Sequence, residues 1–191
     1  MVEERDITQA KSGDDVVTVL LLQHVRIKEL FADVRSARGE RRRQAFDELR
    51  ALLAAHETGE EMVVRPATRK AAGDDVADAR NHEEDEANHV LADLEKLDVG
   101  SAEFTRRFAE FEAAVVAHAD REEAEEFPLL RRKLSKEDRV KMADALVAAE
   151  RIAPTHPHPS TAGSTTAQWV VGPFASLVDR ARDALKSATS R

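Results

Sequence analysis

Apolar residues recur along the chain at intervals of three and four positions, the spacing of one face of an α-helix. N-cap candidates at residues 12–15 predict a first helix that runs to about Ala37. A second helix, with Gly39 before it and Gly59 inside it, is predicted to end at Pro66, because proline interrupts helical hydrogen bonding. The apolar positions are Val16, Val17, Leu20, Leu21, Ile27, Leu30, Phe31 and Val34 in the first helix, and Phe46, Leu49, Leu52, Leu53 and Val63 in the second.

Two further helices follow the same pattern. The third is predicted to begin at residues 73–75 and to run to about Leu97, and the fourth to begin after Ser101 and close near Pro128. Four long helices with short connections predict an all-α fold, an up-down antiparallel four-helix bundle over residues 14–134. Its remaining apolar positions are Val76, Leu91, Leu94 and Leu97 in the third helix, and Phe104, Phe108, Phe111 and Val115 in the fourth.

The rest of the chain divides by composition. Residues 1–13 are predicted to be a flexible tail, and residues 135–152 to form an additional helix with Ser135 as its cap. Residues 153–166 are a Pro-rich linker, in which His156 and His158 are interpreted as incidental, with a minor metal site as the alternative. Residues 167–191 predict an amphipathic helix that docks on the bundle or contacts a protein partner.

Composition excludes several classes of function. The chain has no cysteine, so disulfides and thiolate metal sites are ruled out. A net charge of −8 argues against a nucleic-acid partner. No apolar run approaches the roughly 20 residues of a membrane span, and the charged start is unlike a signal peptide, so we expect a cytoplasmic protein without a membrane partner. No Ser-His-Asp arrangement or phosphate-binding glycine loop stands out in the sequence.

A short motif occurs twice with identical spacing. His56 and Glu60 are four residues apart, as are His118 and Glu122, and each copy ends in a proline at the same offset. Residues at this spacing lie on one helix face, roughly 5–6 Å apart at Cβ. In both helices the pair continues the apolar stripe, where buried glutamates require a compensating charge. The pattern predicts two walls of one metal site.

The first helix offers a third wall, because His24 lies on its inward stripe. Imidazole nitrogen and carboxylate oxygen are ligands typical of non-haem iron. For any one of these residues a structural histidine or a solvated glutamate is the simpler interpretation, but the repeated spacing favours a metal site for the set. Glu57 is kept as a minor candidate.

The third helix leaves its ligand open. Rotation by about 100° per residue from Leu94 places Glu83 near the centre of the apolar stripe and Glu84 within a quarter turn of it. Glu83 or Glu84 is therefore the predicted ligand. Glu86 lies off the stripe on the other side, and His82 and His89 are predicted at the surface, although a half-turn shift would bring His82 inward. Glu86 and His89 also form a Glu-x-x-His motif, as in ferritin-like proteins, but no second copy exists.

These motifs resemble the hemerythrin-like (HHE cation-binding) family over most of the chain. His24 matches that family's first-helix histidine, while the pairs His56/Glu60 and His118/Glu122 match its second and fourth helices. The fourth-helix spacing resembles the bacterial and regulatory branches, since the marine oxygen carriers have His-x-x-x-x-Asp there. The third helix departs from the family's histidine pattern.

The resemblance implies a non-haem iron protein, with a di-iron centre, that binds or senses oxygen, nitric oxide or peroxide. Peroxide-decomposing activity of a catalase or peroxidase kind is compatible with it. An alternative is an iron- or redox-responsive interaction module whose C-terminal helix contacts a partner. A third possibility is an enzyme that activates oxygen toward an organic substrate.

Overall fold

The computed structural model describes residues 13–153 and 155–156. Within this part of the chain all regular structure is helical, which confirms the all-α prediction. The predicted N-terminal tail, most of the Pro-rich linker with His158, and the predicted C-terminal amphipathic helix lie outside the described residues. None of the described helices is long and apolar enough to cross a membrane.

Four long helices form the bundle: α1 (Val16–Ser36), α2 (Gly39–Gly59), α4 (Asp74–Leu94) and α5 (Ala102–Arg121). Side chains cap two of them, because Asp15 accepts a hydrogen bond from the backbone N–H of Thr18 and Ser101 accepts one from Phe104, each at 3.0 Å. The expected bundle is therefore confirmed, with its helices beginning close to the predicted caps.

The second and fourth predicted helices do not end at their prolines. After Gly59 the chain makes a π-helical segment, Glu60–Val64, and continues as α3 (Arg65–Ala72). After Arg121 it makes an equivalent segment, Glu122–Glu126, and continues as α6 (Phe127–Lys133). Each proline thus stands in the first turn of a new α-helix, where its missing N–H costs little. Each wide turn begins at the glutamate of a His-x-x-x-Glu motif, and such turns are frequent at functional sites.

The additional helix α7 (Lys136–Ile152) begins at Ser135, as predicted, and packs against α1, α2 and the first π-helical segment. The close approach of α7 to α2 explains why residue 59 is a glycine. A Cβ atom at that position would lie 2.7 Å from Leu146 Cδ1 and 3.1 Å from Glu150 Cγ. The glycine inside α2 is therefore used for close helix packing rather than merely tolerated.

Two of the linker residues that the structure describes, Thr155 and His156, are docked on the bundle. Arg50 Nε donates to the carbonyl oxygen of Thr155 at 3.0 Å. His156, which is 5% exposed, places Nδ1 against a carboxylate oxygen of Glu95. The interpretation of His156 as an incidental linker residue is wrong, because its side chain is buried in a polar contact.

Buried apolar side chains form two clusters, with a band of buried polar side chains between them. One cluster lies toward the α4–α5 connection and includes Phe31, Phe46, Leu49, Leu94, Phe104 and Phe108. The other lies beneath α7 and includes Val17, Leu20, Val64, Phe127, Leu130 and Leu146. On α1, for example, His24 falls between Leu20 of one cluster and Ile27 of the other. The bundle thus isolates the polar band from solvent at both ends.

Candidate metal centre

The polar band consists of histidines and glutamates from all four bundle helices and their π-helical extensions. Five of the side chains are at most 4% exposed, and the histidine of α5 is 14% exposed. Such burial of several carboxylates is costly unless cations compensate them. The six residues are His24, His56, Glu60, Glu84, His118 and Glu122.

These residues form two overlapping groups, which we call position 1 and position 2. Position 1 comprises His24 and His56 with Glu60 and Glu122. Position 2 comprises Glu84 and His118 with the same two glutamates. In each group one atom from every residue lies within 4.8 Å of the others. The shared carboxylates therefore stand between two neighbouring places where a cation fits.

The orientation of His56 follows from its hydrogen bonds. Gln23 Nε2 donates to Glu150 Oε1 at 2.7 Å, and this leaves Gln23 Oε1 facing His56 Nδ1 at 2.8 Å. Because an amide oxygen only accepts, the proton of the imidazole lies on Nδ1 and the lone pair of Nε2 points inward. Burial, followed by repulsion from His24, lowers the pKa of His56 to about 3, so the ring is neutral.

The other two histidines are held in the same way by carboxylates. His24 Nδ1 lies 2.9 Å from Glu123 Oε1, and His118 Nδ1 lies 2.8 Å from Glu83 Oε2. A carboxylate partner at Nδ1 fixes the ring and leaves Nε2 for a metal, which is the usual arrangement around histidine ligands. All three Nε2 atoms thus face the shared glutamates.

Several inward-facing acceptor atoms have no hydrogen-bond partner. His24 Nε2 and Glu122 Oε2 lie 3.5 Å apart, and both are buried without a hydrogen-bond partner. His56 Nε2 faces Glu60 Oε2, also at 3.5 Å. Both oxygens of Glu60 and Oε2 of Glu84 are also unpaired and buried. Buried polar atoms are nearly always satisfied. Opposed acceptors of this kind are satisfied by a cation between them, so the residues fit a metal.

The electrostatics of the cluster are strongly coupled. Burial and then Glu122 raise the pKa of Glu60 well above its ordinary value, and burial raises that of Glu84 to about 7 although Arg65 opposes it. Burial disfavours charge on His118, but the carboxylates of Glu122, Glu83 and Glu84 together outweigh it and raise the pKa of His118 to about 11. A metal that binds His118 Nε2 must replace a proton there, so metal binding is coupled to proton release.

Comparison with known proteins decides the family. The model of the hemerythrin HHE cation binding domain matches residues 15–130. The chain belongs to this family. A hemerythrin-like protein of Schizosaccharomyces pombe is 30% identical over 137 residues, which cover 70% of this chain and 68% of that protein. It follows that the chain is a hemerythrin-like, cation-binding protein.

Two further proteins are similar to the chain at lower sequence identity. A hemerythrin HHE cation binding domain-containing protein from Mycobacterium kansasii has the same fold, with a TM-score of 0.66, 21% identity, and coverage of 87% of this chain and 99% of that one. A DNA nickase of a Nostoc species is 24% identical over 147 residues, 75% of this chain but 42% of that protein.

The third helix of the hemerythrin-like bundle contributes Glu84 to position 2, whereas Glu83 belongs to neither position. Glu83 instead holds His118 Nδ1 and lies 3.0 Å from Arg121 Nε. Of the two predicted ligands, Glu84 therefore lies in the cluster, whereas Glu83 binds the outer nitrogen of His118. His82 and His89 are 72% and 63% exposed, which confirms their surface placement and excludes the Glu-x-x-His reading.

Arg65 is buried beside the centre and is not among the residues predicted from the sequence. Its Nη1 donates to Glu126 Oε2 at 2.8 Å, and its Nη2 contacts Glu84 Oε1 and lies 3.3 Å from Glu122 Oε1. Burial works against its charge, but the glutamates around it raise its pKa above the ordinary value. The one signal in the sequence is position, since Arg65 follows Glu60 by five residues, as Phe127 follows Glu122.

A cleft of about 670 Å³ between α4 and α5 reaches the centre. Its inner end touches His24, His56 and His118, and its wall is largely apolar, with Phe111, Ala114, Val115, Ala87 and Val90. We call it the α4–α5 cleft. Its volume lies in the usual range of small-molecule sites.

Glu57 also lines the α4–α5 cleft but belongs to neither metal position. Burial, followed by Glu84, raises its pKa well above the ordinary value. Its Oε2 is buried without a hydrogen-bond partner. Glu57, which the sequence offers as a minor candidate ligand, is thus a polar group on the route into the centre.

Proposed function

We propose that the chain binds a pair of iron ions at positions 1 and 2 and uses them to bind or sense oxygen, nitric oxide or peroxide. The observation that carries the proposal is the set of unpaired, buried acceptors around the shared carboxylates of Glu60 and Glu122. A carboxylate has two oxygens and can serve two adjacent cations. Imidazole and carboxylate donors without thiolates suit non-haem iron.

Iron held in this way would supply redox chemistry and affinity for diatomic and peroxide ligands. The chain's own residues orient the donors, since Gln23, Glu123 and Glu83 each hold one histidine by Nδ1. The apolar clusters above and below exclude water from the polar band. These features support a centre that is rigid and dry except on the side of the cleft.

The α4–α5 cleft gives a small ligand a route to His118 and His24. The unpaired Oε2 of Glu57 offers a hydrogen bond to a ligand that enters there. Hydrogen peroxide can both donate and accept hydrogen bonds, whereas oxygen and nitric oxide have no hydrogen to donate, so peroxide matches this end of the cleft better. We therefore favour peroxide as the ligand and peroxide decomposition as the activity to test.

The test is the iron content and visible spectrum of protein produced with iron, before and after addition of oxygen or hydrogen peroxide. We expect about two iron ions per chain, as in two-metal centres generally, and absorption that changes with peroxide. The variant His118→Ala should lose about one of its two bound iron ions, whereas His82→Ala, a surface control, should retain both. A folded protein that takes up no iron would refute the proposal.

A further inference from the structure

The two copies of the repeated motif carry different residues at an equivalent position beside the centre. Five residues after the shared glutamate, the first copy has Arg65 and the second has Phe127. The Phe127 ring stacks on His24, with centroids 5.6 Å apart and planes at 20°. An apolar ring therefore covers position 1, while a guanidinium group covers position 2.

Arg65 contacts the carboxylates of position 2 on the side that faces His118. Its Nη2 reaches Glu84 Oε1 and Glu122 Oε1, and this same Glu122 oxygen lies 3.2 Å from His118 Nε2. The other oxygen of Glu122 faces His24 in position 1. The contacts of Nη2 are therefore directed at Glu84, which belongs only to position 2, and at the Glu122 oxygen that faces His118. The approach of Nη2 to Glu60 is longer, at 3.8 Å.

The charge of Arg65 is permanent and its location is fixed. Arginine does not lose its proton in proteins, and the side chain is only 3% exposed, so solvent cannot screen it. Glu126 accepts from Nη1, and the hydroxyl of Thr68 holds the other oxygen of Glu126. A cation entering position 2 must displace arginine hydrogen bonds and remain next to a positive charge.

We propose that Arg65 makes the two metal positions unequal, so that position 1 fills first and keeps its ion while position 2 fills second and exchanges it. Position 1 has two imidazoles, whose Nδ1 atoms already have hydrogen-bond partners, and is covered by an apolar ring. Position 2 has one imidazole and three carboxylates, two of which Arg65 already holds. The inference rests on the proposed function, since it assumes that both positions bind iron.

The experiment is an anaerobic calorimetric titration of the metal-free full chain with Fe(II) alone, followed by measurement of the iron retained after desalting. The wild type should bind in two steps whose affinities differ by at least roughly tenfold, because like charges repel strongly at buried sites. On repeated desalting the ion at position 2 should be lost before the ion at position 1, since the ion at position 1 is held more tightly.

Matched arginine variants assign the difference to Arg65. The variant Arg65→Met should tighten the second step by roughly tenfold or more and bring it close to the first. Arg69, one turn further along α3, is 40% exposed and pairs with Asp74 and Asp78. The control Arg69→Met should therefore keep both steps as in the wild type.

A second variant, expected to weaken the second binding step rather than tighten it, tests the inference if Arg65→Met does not fold. Glu126→Gln removes the charge that balances Arg65 but can still accept its hydrogen bond. The second step should then weaken by several-fold, because more of the arginine's charge is directed at Glu84 and Glu122. Separately, His118→Ala should abolish the weak step and leave the tight one, and His24→Ala should impair the tight step.

Two equal affinities in the wild type, or an unchanged second step in both Arg65→Met and Glu126→Gln, would overturn the inference while leaving the two-iron centre intact. Failure of the wild type to bind Fe(II) at all would overturn the proposed function together with it. A tight first step that depends on His118 rather than His24 would reverse the assignment of the positions and also contradict the inference.

Discussion

Glu60 and Glu122 begin the two π-helical segments at equivalent points of the repeated motif, and both belong to both candidate metal positions. A π-helical turn closes its hydrogen bonds five residues apart rather than four, so it shifts the residues that follow relative to a regular α-helix. The repeat therefore does more than duplicate a pair of ligands, because it places two carboxylates in the middle of the centre.

Because Glu122 belongs to both metal positions and Glu84 to only one, we expect variants of the two glutamates to retain different amounts of iron. Glu122→Gln should lose most of the iron from both positions, because it removes an anionic donor from each. Glu84→Gln should lose only the ion at position 2 and retain about one ion per chain. Iron analysis of the purified variants checks this, and equal losses in the two variants would contradict the overlapping arrangement.

The hydrogen bond from His56 to Gln23 predicts that Fe(II) affinity can be lowered without removing a metal ligand. Gln23→Leu removes the acceptor for Nδ1, so the ring loses its fixed orientation and Fe(II) affinity should fall about 10–100-fold. The exposed Gln44 serves as a control, and Gln44→Leu should bind as the wild type does. Calorimetric titration measures both, and wild-type affinity in Gln23→Leu would show that α1 does not orient this histidine.

Glu150 predicts a pH dependence of stability in the metal-free protein. Burial raises its pKa from 4.5 to about 7, although the hydrogen bond from Gln23 opposes the shift. The folded state therefore binds this proton more tightly than the unfolded chain, and the resulting stability is complete below pH 4.5 and lost as the pH rises to about 7.

The variant Glu150→Gln removes this titration but keeps an acceptor for Gln23. From pH 4.5 to 7.5 its free energy of unfolding should rise relative to that of the wild type by up to about 3 kcal/mol. Urea unfolding of both proteins across this range measures the difference, which also subtracts the titration of the remaining carboxyls. Parallel pH profiles for the two proteins would contradict the assignment.

The α4–α5 cleft predicts that access can be slowed without loss of iron. Ala114 is exposed and lines the cleft, so Ala114→Trp should narrow its mouth and slow the peroxide-induced spectral change at least about tenfold. The neighbouring Ala113 is also exposed but does not line the cleft, and Ala113→Trp is the matched control. Stopped-flow spectroscopy compares the rates, and equal rates would indicate another route to the centre.

Much of the fold and five of the six clustered residues could be predicted from the sequence. The apolar stripes located the helices, and a histidine or glutamate that continues such a stripe must face the core, which identified His24 and both His-Glu pairs. Glu83 and Glu84 could not be separated, because they differ by about 100° and the rotation of α4 is set by its packing.

The remaining features depend on contacts between distant parts of the chain. The π-helical segments have no residue signature, so the sequence predicts a helix end at each proline. Arg65 is charged and precedes a proline, which is typical of a solvated helix terminus. Its burial depends on carboxylates from α4 and both π-helical segments, and no local pattern reveals their convergence.

Anomalous diffraction from iron-loaded crystals, recorded at the iron absorption edge, tests the central claim most directly. The account predicts two peaks that flank the carboxylates of Glu60 and Glu122, one beside His24 and His56 and the other beside His118 and Glu84. No peak in the polar band, or iron only at surface histidines such as His82 and His89, would contradict it.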